Sequence, residues 1–313
     1  MSCIPDACCR AITGIALLAL VLTGCTTPTA KPQVRPVDQA TAKRLDGAWI
    51  AVVDEDRAFR FVGEYRDNET NQGYQMLYPA PNFAGFLAGV ATHAALQSAQ
   101  NDAHIEALHR ASDEVLKPFQ QVLDEIHVHS VFKQALQMRD ASNEIAVKNA
   151  VSGTRGPEVD LAAHAIMAQS RRALIVDLVA KVKNPSDPDD DATGYVHKVR
   201  VISNPIEASD DNINDYWLAD DGLQLKQTVV RLLARAIDLF VADATRHLRP
   251  LQKKQITARY QFGNERRTER VIVLEHTCSR QTLRTLRGWI LSVPVPDGSK
   301  PQMDCADQDV VSH

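Results

Sequence analysis

Ser130 and Lys133 stand at S-x-x-K spacing, where a lysine one helical turn along could take the proton of a serine nucleophile. No Lys-Thr-Gly element follows downstream, and that combination gives such a pair its catalytic setting. His127 and His129 alternate and could face one way on a strand as metal ligands. No third ligand follows at an informative spacing, so ordinary surface or core histidines account for them better. Asp187, Asp189 and Asp191 alternate like the start of a calcium loop, but Ala192 occupies the sharp-turn glycine position and no glutamate closes the span. Cys278 lies two residues beyond His276, on a strand and turn with no glycine-rich nucleophile turn or helix start after it. Patterns for a nucleophile elbow, a Walker A loop and a dinucleotide fold are absent. The expectation is therefore no catalytic residue, no metal site and no cofactor.

The N-terminus carries a more specific signal. Arg10 precedes an uncharged apolar stretch, Ala11 to Gly24, which is shorter than the roughly 20 residues a membrane-spanning helix needs. It has the length of a signal-peptide apolar region and ends in Leu22, Thr23, Gly24 and Cys25. These four residues resemble the lipobox of bacterial lipoprotein precursors, a likeness confined to residues 1–25. It implies cleavage after Gly24, a diacylglyceryl thioether on Cys25 and acylation, as by palmitate, of the new amino group. In Gram-negative members the residue after the lipidated cysteine helps choose the membrane, and here it is Thr26 rather than Asp. The resemblance thus implies the periplasmic face of the outer membrane, with the lipid anchor at Cys25 as the membrane contact. Several acyl chains hold a protein far more firmly than one, since each buried methylene contributes about 0.8 kcal/mol.

Cysteine usage agrees with export. Loss of residues 1–24 removes Cys3, Cys8 and Cys9, and acylation occupies Cys25, leaving Cys278 and Cys305. In an oxidising compartment two remaining thiols suggest one disulfide, whose loop of about 28 residues would contribute roughly 3 to 4 kcal/mol.

The elements that must carry any site are legible from periodicity. Residues 25–44, with Pro28, Pro32 and Pro36, read as a tether; residues 45–295 as a single α+β domain; residues 296–313 as a polar tail that Cys305 could pin back. Trp49 to Val53 is a short strand, and Phe59 to Tyr65 with Tyr74 to Tyr78 suggests a hairpin. Arg172 to Lys183 alternates, with Leu174, Val176, Leu178, Ala180 and Val182 on one face, and Tyr195 to Ser203 returns beside it. Gln255 to Phe262, Thr268 to His276 and Thr282 to Val293 suggest a three-stranded meander. The expected fold is α+β, with a mixed or antiparallel sheet.

Two helical regions are expected on that sheet. One, about residues 222–248, begins after Asp221 as an N-cap and gathers Val229, Leu233, Ile237, Phe240 and Ala244 on one stripe that faces a core. The other, about 82–126, starts inside a stretch from Thr70 to Asn101 that holds no charged residue. Gly85 and Gly89 lie one turn apart on its small face, where another backbone could approach closely. A helix buried between layers, a protein contact and a membrane-seeking segment all remain open there.

Over its whole length the chain is balanced: 313 residues, 35 Lys and Arg against 39 Asp and Glu, net charge −4, and 44% hydrophobic residues. That composition excludes a disordered or multi-span chain and gives no support to nucleic acid binding. Locally it is polarised. Asn184 to Asp221 holds ten acids and two bases; Arg246 to Arg287 holds eleven bases and three acids. Mutual neutralisation across the sheet is favoured over a basic surface kept for anionic lipid or glycan. The preferred functional reading is a non-enzymatic outer-membrane lipoprotein that scaffolds or helps assemble an envelope complex, with an envelope protein or a second copy as partner. The alternative is a cell-envelope hydrolase, acting on peptidoglycan or lipid, with an unrecognised site.

Overall fold

Leu174, Val176, Leu178, Ala180 and Val182 recur at every second position, and in the computed structural model they form one face of a central strand. The described residues are 39–53, 59–65, 107–139, 145–147, 157–182, 195–251 and 254–296. All of them fall within one unit, Pro32–His313.

Ten strands are present among them: β1 (Trp49–Val52), β2 (Arg60–Gly63), β3 (Ile145–Val147), β4 (Glu158–Met167), β5 (Leu174–Val182), β6 (Tyr195–Ile202), β7 (Ile256–Phe262), β8 (Glu265–His276), β9 (Arg280–Thr285) and β10 (Ile290–Pro294). They form one mixed sheet in the order β3-β1-β4-β5-β6-β10-β9-β8-β7, with β2 also paired to β4. The long β4 is shared along one edge, where β1 runs parallel to its first half and β2 to its second. Its other edge, and both edges of β5, pair antiparallel. β6 meets β10 in parallel, and β10, β9, β8 and β7 form an antiparallel meander. The fold is thus α+β, as the patterning implied.

Among the described residues the helices are α1 (Gln39–Leu45), α2 (Gln120–Asp124), α3 (Val128–Met138) and α4 (Ile213–Ala244), and residues 107–113 are helical as well. A tighter 3-10 turn, Glu114–Phe119, holding Pro118 leads into α2. The end of the expected tether is helical, since α1 covers residues 39–45 and buries Ala42 and Leu45 in the core. α4 lays Val229, Leu233, Ile237 and Phe240 on the even-numbered face of β5, and Trp49 meets the Phe240 ring edge-on at 6.0 Å. A second, smaller core lies on the opposite face, where Ile166, Ile175 and Ile202 meet Tyr260, Phe262, Val271 and Val273 of the meander. β5 is buried along its whole length because both of its faces are covered.

The structure departs from the sequence reading at several points. The final strand splits in two, with Leu286 to Trp289 making a turn in which Gly288 takes a φ of 85°. β4 was not anticipated, because its Ala-rich stretch lacks the β-branched signature of a strand. Asp221 does not cap a helix: Asp220, Asp221 and Gly222 take φ values of 50°, 56° and 74° and interrupt α4, so the long core-facing part follows Gly222. That part ends at Ala244, four residues short of the expected limit. In the region read as an uncharged helix over about 82–126, residues 82–106 lie outside the described residues, and the remainder is helix, 3-10 turn and α2. Gly85, Gly89 and Tyr74 to Tyr78 also lie outside. No helix of the described residues is long and apolar enough to cross a membrane.

Candidate functional site

Charged residues interrupt the apolar strands at one level of the sheet. In register across β2, β4, β5 and β6, Arg60 lies beside His164, His164 beside Asp177, and Asp177 beside Arg200. Because side chains alternate, Asp177 projects from the face opposite α4, with Lys198 on the same face of β6. Asp177 is fully buried, and His164, Lys198 and Arg200 are each less than a tenth exposed.

The Arg200 guanidinium grips the carboxylate with both arms. Nε donates to Oδ1 at 2.6 Å and Nη2 to Oδ2 at 2.7 Å. Lys198 Nζ lies 3.0 Å from Oδ2, and His164 Nε2 lies 3.9 Å from the same oxygen. Burial works to raise the Asp177 carboxyl, but Arg200 and Lys198 outweigh it and hold it well below the usual carboxylate range. Burial lowers the Lys198 ammonium against the pull of Asp177. It pushes the His164 imidazole down to about 4, so this ring is neutral at physiological pH. From the meander, Glu269 faces Arg200 and Arg287, and burial pushes its carboxyl up to about 7 against their attraction. The Trp289 ring also closes on the cluster, 5.1 Å from Lys198 Nζ.

A second polar group sits on the helix face. His197 of β6, 1% exposed, places Nε2 2.9 Å from Asp243 Oδ2 near the end of α4. Arg284 of β9 donates to Oδ1 of that carboxylate, and Tyr195 Oη donates to Oδ2 at 3.4 Å. Burial works against charge on Asp243, but His197 and Arg284 hold its carboxyl below its ordinary value. Burial, together with the same carboxylate, pushes the Tyr195 hydroxyl up. This group ties the last turn of α4 to two strands.

The sequence-derived candidates do not converge. His127 is extended at the start of α3 and His129 lies on that helix, so the pair does not share a strand. Ser130 is exposed and its hydroxyl accepts from Gln134 Nε2 at 3.0 Å. Cys278, half-buried, lies in the turn between β8 and β9; Cys305 and Cys25 are outside the described residues, as are Asp187, Asp189 and Asp191. Among the described residues no group of three metal-ligating side chains comes together. The buried cluster had a legible trace, since Lys198 and Arg200 share one parity on β6 and Asp177 breaks the apolar run of β5. What sequence could not supply was the register that sets them side by side. No protein-family model matches the chain, and no curated protein or solved structure is similar to it.

Chemically, both oxygens of the Asp177 carboxylate are held by bases of its own sheet. It fixes the register of β5 on β6 and neutralises cations beneath the meander. Glu269 is different, because it changes charge near neutral pH.

Proposed function

We propose that this chain is a bacterial lipoprotein, held by acyl chains on Cys25 at the periplasmic face of the outer membrane, whose α+β domain scaffolds or helps assemble an envelope complex. The observation that carries the reading is the run from Arg10 through Ala11 to Leu22-Thr23-Gly24-Cys25, a basic start, an apolar stretch and a lipobox at the required distances. A role in binding rather than catalysis draws support from the buried cluster, where Arg200 and Lys198 already occupy both oxygens of Asp177. Groups committed to one another hold strands in place and have little freedom to shuttle protons.

Labelling cells with radioactive palmitate tests the anchor. The parent chain incorporates label and fractionates with the outer membrane, whereas Cys25→Ala remains an unlabelled precursor; equal incorporation by the variant refutes the assignment. Crosslinking from the labelled chain tests the role: adducts with an envelope protein or a second copy support a scaffold, and a chain that forms no adduct counts against it.

A further inference from the structure

Among the described residues, two bases of the Arg246 to Arg287 segment pair with acids outside the acidic segment. Arg267 pairs with Glu64, and Arg284 with Asp243, while Asp210 of the acidic segment meets Arg172 at 2.9 Å. The acids within the basic segment lie close to bases. Glu265 meets Arg267 at 3.3 Å, Glu275 meets Arg235 at 2.6 Å, and Glu269 faces the buried cluster. The outer face of the β7–β8 hairpin carries Arg259 opposite Thr268, Thr257 opposite Arg270 and Gln261 opposite Arg266, and these three arginines are exposed.

Apolar side chains mark one end of this face. Leu251 and Leu286, 65% and 60% exposed, are the most exposed large hydrophobic side chains among the described residues. Leu251 N donates to Val273 O at 2.9 Å on one side of β8, and Thr285, just before Leu286, lies opposite Val271 on the other. The two leucines therefore flank the same short stretch of β8. Lys254, Arg270 and Arg287 are exposed beside them, and half-buried Trp289 lies in the same turn as Leu286.

We propose that this end of the meander docks on an anionic phospholipid surface. Leu251 and Leu286 enter the interface while Arg259, Arg270 and Arg287 meet headgroup phosphates, which arginine binds through paired donors. Each base near an anionic membrane strengthens attachment about fivefold. The leucines decide between a bilayer and a soluble polyanion, because only the bilayer offers apolar depth to them. The surface goes beyond the anchor at Cys25: an acylated cysteine holds the chain to a membrane, and this face would orient the domain upon it.

Tryptophan fluorescence tests the docking on the full chain. Of three tryptophans, Trp49 and Trp217 are buried, at 0% and 1% exposure, which leaves Trp289 as the reporter. The chain isolated from membranes is reconstituted into vesicles of brominated phosphatidylcholine, with or without brominated phosphatidylglycerol. Quenching should appear with the anionic lipid and vanish in about 1 M salt, where charges are screened beyond about 3 Å. Arg270→Gln should weaken docking about fivefold, and Leu286→Ser should reduce quenching, both at an unchanged melting temperature. Equal quenching in the two vesicles, or none in either, overturns the proposal. So does binding of a soluble sulfated polysaccharide without lipid quenching, which would reassign the face to a polyanion. The intact mass of the chain reports acylation separately, so failure of the anchor and failure of this surface are read apart.

Discussion

Removing the Asp177 carboxylate would take from Arg200 and Lys198 the buried anion that both contact between two apolar layers. Asp177→Asn should therefore cost about 3 to 5 kcal/mol in urea unfolding, and the triple change Asp177→Leu, Lys198→Met, Arg200→Met should recover most of it. The depressed Asp177 carboxyl contributes stability that is present above its unfolded value near 4 and lost as pH falls below it. His164, lowered to about 4, adds a loss as pH drops from about 6.5, where the unfolded ring takes up a proton that the folded one refuses. Glu269 acts in the opposite sense. Its folded value, raised to about 7, gives stability that is full below the unfolded value near 4.5 and lost as pH rises through 7. Glu269→Gln should thus raise the melting temperature at pH 8 more than at pH 5; an equal change at both would contradict this account. In the sequence Asp177 is one acid in an apolar run, and Lys198 and Arg200 are two bases in an acidic segment. Their partnership depends on strand register, which no local pattern encodes.

Helix α4 and strands β5 and β6 were legible because each keeps one periodicity over its buried face. β4 was hidden by three alanines and a histidine, residues that a strand buried by tertiary packing tolerates and local propensity does not signal. Two tight contacts between elements were also invisible. At Gly63 in β2 an added Cβ would lie 1.7 Å from the carbonyl oxygen of Ser112, and Asp113 accepts from the Gly63 N–H at 2.7 Å. At Gly222, φ is 74° and a Cβ would meet Val122 Cγ1 of α2 at 2.3 Å. Gly63→Ala presses on backbone, whereas Gly222→Ala presses on a side chain but adds left-handed strain. Both should destabilise at the upper end of roughly 1 to 3 kcal/mol, measured by chemical denaturation. Wild-type stability for Gly63→Ala would mean that β2 and the neighbouring helical turn are not so closely apposed.

For the molecule as a whole, the sheet joins segments that lie far apart in the chain, from β1 to β10, and such non-local pairings form slowly during folding. A Cys278 to Cys305 disulfide is proposed to fasten the tail to the β8–β9 turn. Mass mapping under non-reducing conditions should recover the two cysteines in one linked peptide pair, and recovery of both as alkylated thiols would exclude it. Polarised charge shapes the same picture: the basic outer face of the meander and the acyl chains proposed at Cys25 are both suited to a bilayer. The anchor is the claim on which location and role depend. The intact mass of the chain extracted from its own membranes tests it most directly. The account predicts a polypeptide that begins at Cys25 and carries a diacylglyceryl group and a further acyl chain; one that begins at Met1, or at any other residue without lipid, would contradict it.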